Sequence, residues 1–220
     1  RSKEEGKIKG SKIVGDYIIS NKAKAVVHPA LSDNLEFKEI CGAMVSYKLC
    51  CALNKQLDLK IDMLQFADLC AIGTVCDVMP LLDENRTIVK LGLEQLNKSA
   101  NIGINALRSS AAIKDKALTA YHIGFVIGPR LNAAGRLGDA LDAVRLLTTS
   151  SSGFASQMAA KLEGLNSERK KLTDEYLKIA ENELLQNQEN QVFIYFGENW
   201  PEGILGLIAG RLCEKYNKPV

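Results

Sequence analysis

Histidine is nearly absent from these 220 residues, with His28 and His122 the only two, and aromatic residues make up just 6%. So few aromatics exclude the sheet-wide stacking platform of many sequence-tolerant single-strand binders. The six cysteines (Cys41, Cys50, Cys51, Cys70, Cys76, Cys213) contain no C-x-x-C, and no Cys/His pair stands at ligand spacing. No structural zinc site is therefore expected, and any metal would be bound by oxygen. Each cysteine sits among apolar neighbours, as a free thiol does when it packs as a small hydrophobe in a reduced, cytosolic protein. No run approaches the ~18 apolar residues of a membrane span, and residues 1–10 lack the apolar core of a signal peptide. Nor is there an overall field: 28 Lys and Arg against 26 Asp and Glu leave +2. A phosphate-binding surface, if present, is a local cluster.

What is present is ordinary globular composition, 46% hydrophobic and 25% charged. Residues 12–19 and 23–27 are β-branched runs and read as buried strands. Helical spacing follows over 40–53, where Gly42 and Ala43 let another element pack close. Asp62 then caps an all-apolar, hence buried, helix through 71. Further helices are expected over 83–97, 103–112, 119–127 and, capped by Asp139, 139–147. After the hydroxyl-rich break at 148–153, one apolar stripe (Phe154, Met158, Leu162, Leu165, Arg169, Leu172, Tyr176, Ile179) predicts a single helix over 154–187. At 1.5 Å per residue it would be roughly 45–50 Å long, a connector between domains, packed near its ends and exposed in between. A new unit then opens with a strand at 191–196 and a helix at 204–216. The chain has no initiator Met and ends at Pro219-Val220 where a strand would begin, so it reads as a fragment.

Three places could carry chemistry. Asp77 lies after the apolar helix and before Pro80; a buried carboxylate there needs hydrogen bonds from backbone or Thr74, or a cation, and a turn or capping role is the alternative. Residues 129–138 combine Arg130, Asn132 and Arg136 with small residues, and arginine forks suit phosphate oxygens. Their glycines fit neither G-x-G-x-x-G nor the P-loop, and a structural turn with arginines reaching to solvent is the alternative. Asn166 and Arg169, on the stripe of the long helix, suit either an interhelix hydrogen bond or a substrate contact. The glycines of 197–211 suit tight packing, and Glu202 there disfavours a phosphate right beside it.

These segments together resemble the RecJ single-stranded-DNA exonucleases of the DHH phosphoesterase superfamily. The resemblance runs through Val26-Val27-His28-Pro29, residues 41–49, residues 73–81 with Glu84-Asn85-Arg86, residues 129–138, residues 165–169 and residues 197–211, in order over about 12–220. It implies an α/β fold: a DHH-type catalytic domain over 1–150, best represented by its largely helical C-terminal part, a long connecting helix over 151–190, and the start of a DHH-associated α/β domain over 191–220. It implies that Asp77 is a catalytic metal ligand in a two-metal site for Mn²⁺ or Mg²⁺. It further implies that Arg130, Asn132, Arg136, Asn166 and Arg169 contact the nucleic acid. The activity implied is 5'-to-3' hydrolysis of single-stranded DNA in repair and recombination, in the cytoplasm, with a helicase or single-strand-binding protein as possible partners.

The sequence departs from the family pattern in identifiable places. The early Asp-rich motif and the Asp-His-His triplet are missing, a stretch is expected to be absent between Ser20 and Asn21, and residues 1–6 only faintly match an earlier loop. Trp200 is followed by Pro201 where a His is more usual. A catalytically dead scaffold that binds DNA or replication partners would account for the missing triplet. An oligonucleotide or cyclic-dinucleotide phosphodiesterase would share Asp77 but typically lacks the long helix. This polypeptide by itself is expected to be inactive.

Overall fold

A computed structural model of the chain describes residues 11–14, 17–20, 25–31, 36–98, 101–186 and 190–220. The expected gap at Ser20-Asn21, the faint loop match at 1–6 and the linker across 187–189 fall wholly or partly outside these residues. The chain divides into two compact units, Arg1–Gln95 and Leu96–Val220.

In the first unit the strand expected over 12–19 is instead an antiparallel hairpin, β1 (Ser11–Val14) with β2 (Tyr17–Ser20), in the register Ser11↔Ser20 to Val14↔Tyr17. Residues 25–27 of the second expected strand carry no regular structure, and Val26 and Val27 are exposed. β-Branched residues supply propensity, but a strand also needs a paired neighbour, and none stands there among the described residues. The α/β expectation is thus met by one hairpin, and the rest of the described fold is helical.

The helices of this unit are α1 (Gly42–Gln56), α2 (Ala67–Cys76) and α3 (Asp83–Lys98). Cys41 caps α1, its sulfur accepting from Met44 N at 3.4 Å. Asp62 caps a short 3₁₀ turn leading into α2, accepting from Leu64 N at 3.0 Å. α2 is buried on most sides, as its largely apolar sequence favours, and it takes the polar Asp68 and Thr74 into the interior with it. Its close neighbours are made possible by missing side chains: a Cβ on Gly73 would lie 2.6 Å from Ala43 Cβ, and one on Gly92 of α3 would lie 2.3 Å from Ala67 O. Cys41, Met44, Cys70, Ala71, Ile88 and Val89 fill the core between them. Burial pushes the Cys70 thiol up to about 12, so it stays protonated and packs as a hydrophobe.

The second unit holds α4 (Ile102–Ser110), α5 (Ala120–His122), a π-helical stretch Ile123–Ile127, α6 (Gly128–Leu137), α7 (Leu141–Thr148), α8 (Ser152–Gln186) and α9 (Glu202–Tyr216). Residues 129–138, for which a structural turn is one of the two alternatives, are therefore mostly helix. Pro129 would drive its ring into the carbonyl four residues back; the widened π turn just before it gives the ring room, and the helix continues. Residues 191–196, expected as a strand, have no regular structure, although Phe193 N donates to Pro219 O at 3.0 Å.

The long helix forms over 35 residues, close to its predicted bounds. Its buried line is Ala155, Ala159, Leu162, Asn166, Thr173, Ala180 and Leu184, so it is covered along its length rather than only at its ends. Phe154 and Ile179 of the predicted stripe are exposed. The buried line is turned toward small residues because these let neighbouring helices approach. α4 and α7 meet where a Cβ on Gly103 would lie 2.1 Å from Leu146 O. Toward the end of α8, Ala180 and Leu184 share a core with Phe193, Ile204, Ile208 and Leu212, and Tyr176 stacks on Trp200 at 4.5 Å between centroids.

Buried Asp142 joins α7 to α8, meeting Lys161 Nζ at 2.6 Å and Arg145 Nη1 at 3.1 Å. Chiefly the Lys161 hydrogen bond holds its carboxyl below the ordinary value of 3.8. A lowered folded value means this contribution is complete above the ordinary value and is lost as pH falls through the lowered one. Asp142→Asn should melt at lower temperature than the parent at neutral pH, with the difference shrinking in acid below pH 4. A difference that is the same at both pH values would show that the charge is not what stabilises the junction.

Candidate functional site

Asp77 is the C-cap of α2, with φ −83° and ψ 5°, and it is exposed rather than buried. Thr74 does not serve its carboxylate: the Thr74 hydroxyl donates to Cys70 O at 2.9 Å and lies 3.5 Å from Cys41 Sγ. Met79 N donates to Thr74 O and Val78 N to Val75 O, both at 3.1 Å, the paired closure of a Schellman turn. In that turn the left-handed position ordinarily belongs to glycine, yet here it is Val78, at φ 55°. Beyond the turn, the buried Asn85 side chain donates to Pro80 O at 3.0 Å and Glu39 O at 2.7 Å, pinning the exit.

Two neighbouring residues thus go against local preference. A carboxylate at a helix C-terminus faces the negative end of the dipole, a cost of tenths of a kcal/mol to about 1 kcal/mol. A β-branched residue in the left-handed region costs about 1–2 kcal/mol. Asp77 caps nothing with its side chain among the described residues, and because it is exposed rather than buried, water solvates its charge and the need for a partner that burial would impose does not arise. Its nearness, together with burial as the larger cause, pushes the Cys76 thiol up to about 11. Val78→Gly should relieve the backbone cost and raise stability by about 1 kcal/mol, or about 2–4 °C in Tm. A lowered Tm in that variant would show that the valine side chain itself holds the turn.

Among the described residues no group of three His, Cys, Asp or Glu side chains converges, at Asp77 or elsewhere.

The second unit carries the predicted basic residues. Arg130 is nearly buried, its Nε paired with Glu163 and its Nη1 donating to Val126 O at 2.7 Å. Asn132 is exposed on α6. Arg136, also on α6, donates from Nη1 to Gly203 O at 2.6 Å, and a Cβ on Gly203 would lie 2.4 Å from Arg136 O. That glycine is required for α9 to start against the end of α6. Asn166 is fully buried and accepts at Oδ1 from Arg169 Nη2 at 3.1 Å. Its Nδ2 and the Nε of Arg169 are buried without a hydrogen-bond partner among the described residues. Burial first, then the charges of Arg136 and Arg211, lower the pKa of Arg169. Arg136, Asn166 and Arg169 are thus brought into one neighbourhood, whereas Arg130 is tied to Glu163.

Sequence reasoning missed Glu163, Asp174 and Arg211. Arg211 on α9 pairs with Asp174 on α8 at 2.7 Å. Residues 37 apart on separate helices leave no periodic signal; only the tertiary packing joins them.

No family model matches the chain. Among curated proteins it is similar to the single-stranded-DNA-specific exonuclease RecJ of Bacillus subtilis, 34% identical over 201 residues and covering 89% of this chain but 25% of that protein. The Thermus thermophilus RecJ is 36% identical over 197 residues, covering 89% of this chain and 28% of that one. The Escherichia coli RecJ is 33% identical over 217 residues, covering 90% and 37%. The chain therefore spans between a quarter and little more than a third of the length of these relatives. Among solved structures, Thermus thermophilus RecJ in complex with Mn²⁺ matches with a TM-score of 0.77 at 35% identity, covering 88% of this chain and 29% of that one. A structure of exonuclease RecJ bound to manganese matches with a TM-score of 0.76 at 34% identity, covering 87% and 48%.

Proposed function

This chain belongs with the RecJ family, to which it is similar over about nine-tenths of its length, and from that premise we propose that the intact protein is a metal-dependent 5'-to-3' exonuclease of single-stranded DNA. The observation that carries the reading is the joint agreement of sequence and fold with RecJ. It acts in DNA repair and recombination in the cytoplasm, with a helicase or single-strand-binding protein as partner. Residues 1–150 belong to the DHH-type domain, 151–190 to the connecting helix, and 191–220 begin the DHH-associated domain. The 35-residue α8 favours this reading over a short-substrate phosphodiesterase.

In this reading Asp77 is one ligand of a two-metal site for Mn²⁺ or Mg²⁺, the metals with which similar RecJ structures are solved, and the remaining ligands come from outside the described residues. Bound there, the metals would lower the pKa of a water and neutralise charge on the reacting phosphate. The assignment rests on the motif resemblance to RecJ; the exposed Asp77 carboxylate, with no hydrogen-bond partner among the described residues, is available to a cation. Arg130, Arg136 and Arg169 hold the strand by its phosphates and do not read its bases, because guanidinium forks match phosphate oxygens whatever the sequence, with the Asn132 and Asn166 amides as the accompanying contacts on the same two helices. Arg136 and Arg169 have the strongest support, from the donor-rich neighbourhood around Asn166. The tie between Arg130 and Glu163 makes Arg130 a weaker contributor.

The test is nucleotide release from end-labelled oligonucleotides by the intact protein with Mn²⁺. Release from the 5' end of single strands is expected, with duplexes spared. Binding without release would favour the inactive scaffold. Release from dinucleotides alone would favour the short-substrate phosphodiesterase.

A further inference from the structure

Three arginines from three helices, Arg136 of α6, Arg169 of α8 and Arg211 of α9, lie near enough for the charges of the other two to bear on Arg169, and among the described residues the carboxylate that bears on it is Asp174. Hydrogen-bond donors outnumber acceptors in the same way. Arg136 uses Nη1 on Gly203 O, Arg169 uses Nη2 on Asn166 Oδ1, and the buried Asn166 Nδ2 and Arg169 Nε have no partner among the described residues. A neighbourhood with surplus positive charge and unspent donors is completed by an oxyanion.

Arg211 is the accessible member of the set. Its side chain is 46% exposed, and Asp174, its partner at 2.7 Å, is 62% exposed. Pairs this exposed contribute little to stability, because water screens both charges, so an incoming anion displaces the carboxylate at small cost. We infer that Arg211 is a further phosphate-binding residue of the DNA site, and that Asp174 occupies it in the free protein and is exchanged for a backbone phosphate on binding. This rests on the reading that Arg136 and Arg169 face the DNA backbone. Asp174 then acts as a built-in competitor, weakening affinity so that a strand can be released and advanced.

The experiment is a salt titration of fluorescent single-stranded oligonucleotide binding to the intact protein in EDTA, which suppresses cleavage. Asp174→Asn, which removes the competing charge and nearly keeps the shape, should tighten binding several-fold. Arg211→Ala should weaken it similarly for all sequences and lower the salt slope by about 0.7. Arg211→Lys should restore the slope, since a point charge still releases a counterion; this guards against a fold defect in the alanine variant. Asp174→Asn with lowered Tm and unchanged or weakened binding would overturn the exchange and leave a structural ion pair. Loss of affinity on Arg136→Ala and Arg169→Ala without any effect of Arg211→Ala would overturn the inference alone. No effect from any of the three would overturn the underlying DNA-backbone reading.

Discussion

Asp77→Ala in the intact protein is expected to abolish cleavage of single-stranded DNA while leaving the fold intact or slightly more stable. The two halves of this expectation have separate physical origins. The Asp77 carboxylate is exposed at the C-cap of α2 and has no hydrogen-bond partner among the described residues, so truncating it removes no contact. It also removes a negative charge from the negative end of the helix, a gain of tenths of a kcal/mol. Activity should respond oppositely, because an oxygen ligand that helps hold a catalytic metal contributes several kcal/mol to the barrier. A loss of about a thousandfold corresponds to about 4 kcal/mol. Nucleotide release, Mn²⁺ calorimetry and a thermal melt on the same preparation check both halves. Full activity with unchanged Mn²⁺ stoichiometry would remove Asp77 from the metal site, and a large fall in Tm would return it to a structural role.

Glu175→Pro should damage the fold severely. Residue 175 is exposed near the middle of the second half of α8, so the glutamate side chain itself contributes little. Proline there deletes the hydrogen bond to the carbonyl of Lys171 and pushes its ring against that carbonyl, at about 3 kcal/mol or more. For a chain of this size that is about 6–12 °C in Tm. The kink would fall between Thr173 and Tyr176, separating the line that runs from Ala155 to Asn166 from Ala180 and Leu184 in the α9 core. Glu175→Ala, which keeps the backbone, should melt within about 2 °C of the parent. Limited proteolysis should open a new site near 171–175 in the proline variant only. An unchanged melting temperature would mean that the two halves of α8 are held independently by their neighbours.

The sequence by itself determined most of the helices, because their signals are local. Apolar spacing, the Asp62 and Asp139 caps and the hydroxyl-rich break before α8 lie within a few residues of what they specify. It also singled out Asp77, Arg130, Asn132, Arg136, Asn166 and Arg169 as candidates, partly through residue chemistry and mainly through the order of motifs resembling RecJ. Strands were legible only as propensity: the 12–19 run folds back as a hairpin, and 25–27 and 191–196 have no regular structure, since pairing depends on partners distant in sequence. For residues 129–138 the residue types left a structural turn and a phosphate-facing segment both open, and the helix that forms there depends on the preceding π turn, which gives Pro129 room. The buried face of α8 was displaced from the predicted stripe because packing favoured Ala155 and Ala159, which admit a neighbouring helix, over Phe154. What tertiary structure alone decided is which charges meet: Arg130 with Glu163, Arg136 with Gly203 O, and Arg211 with Asp174. These partners are joined across separate helices, and Coulomb and hydrogen-bond energies depend on distance in space, which spacing along the chain does not encode.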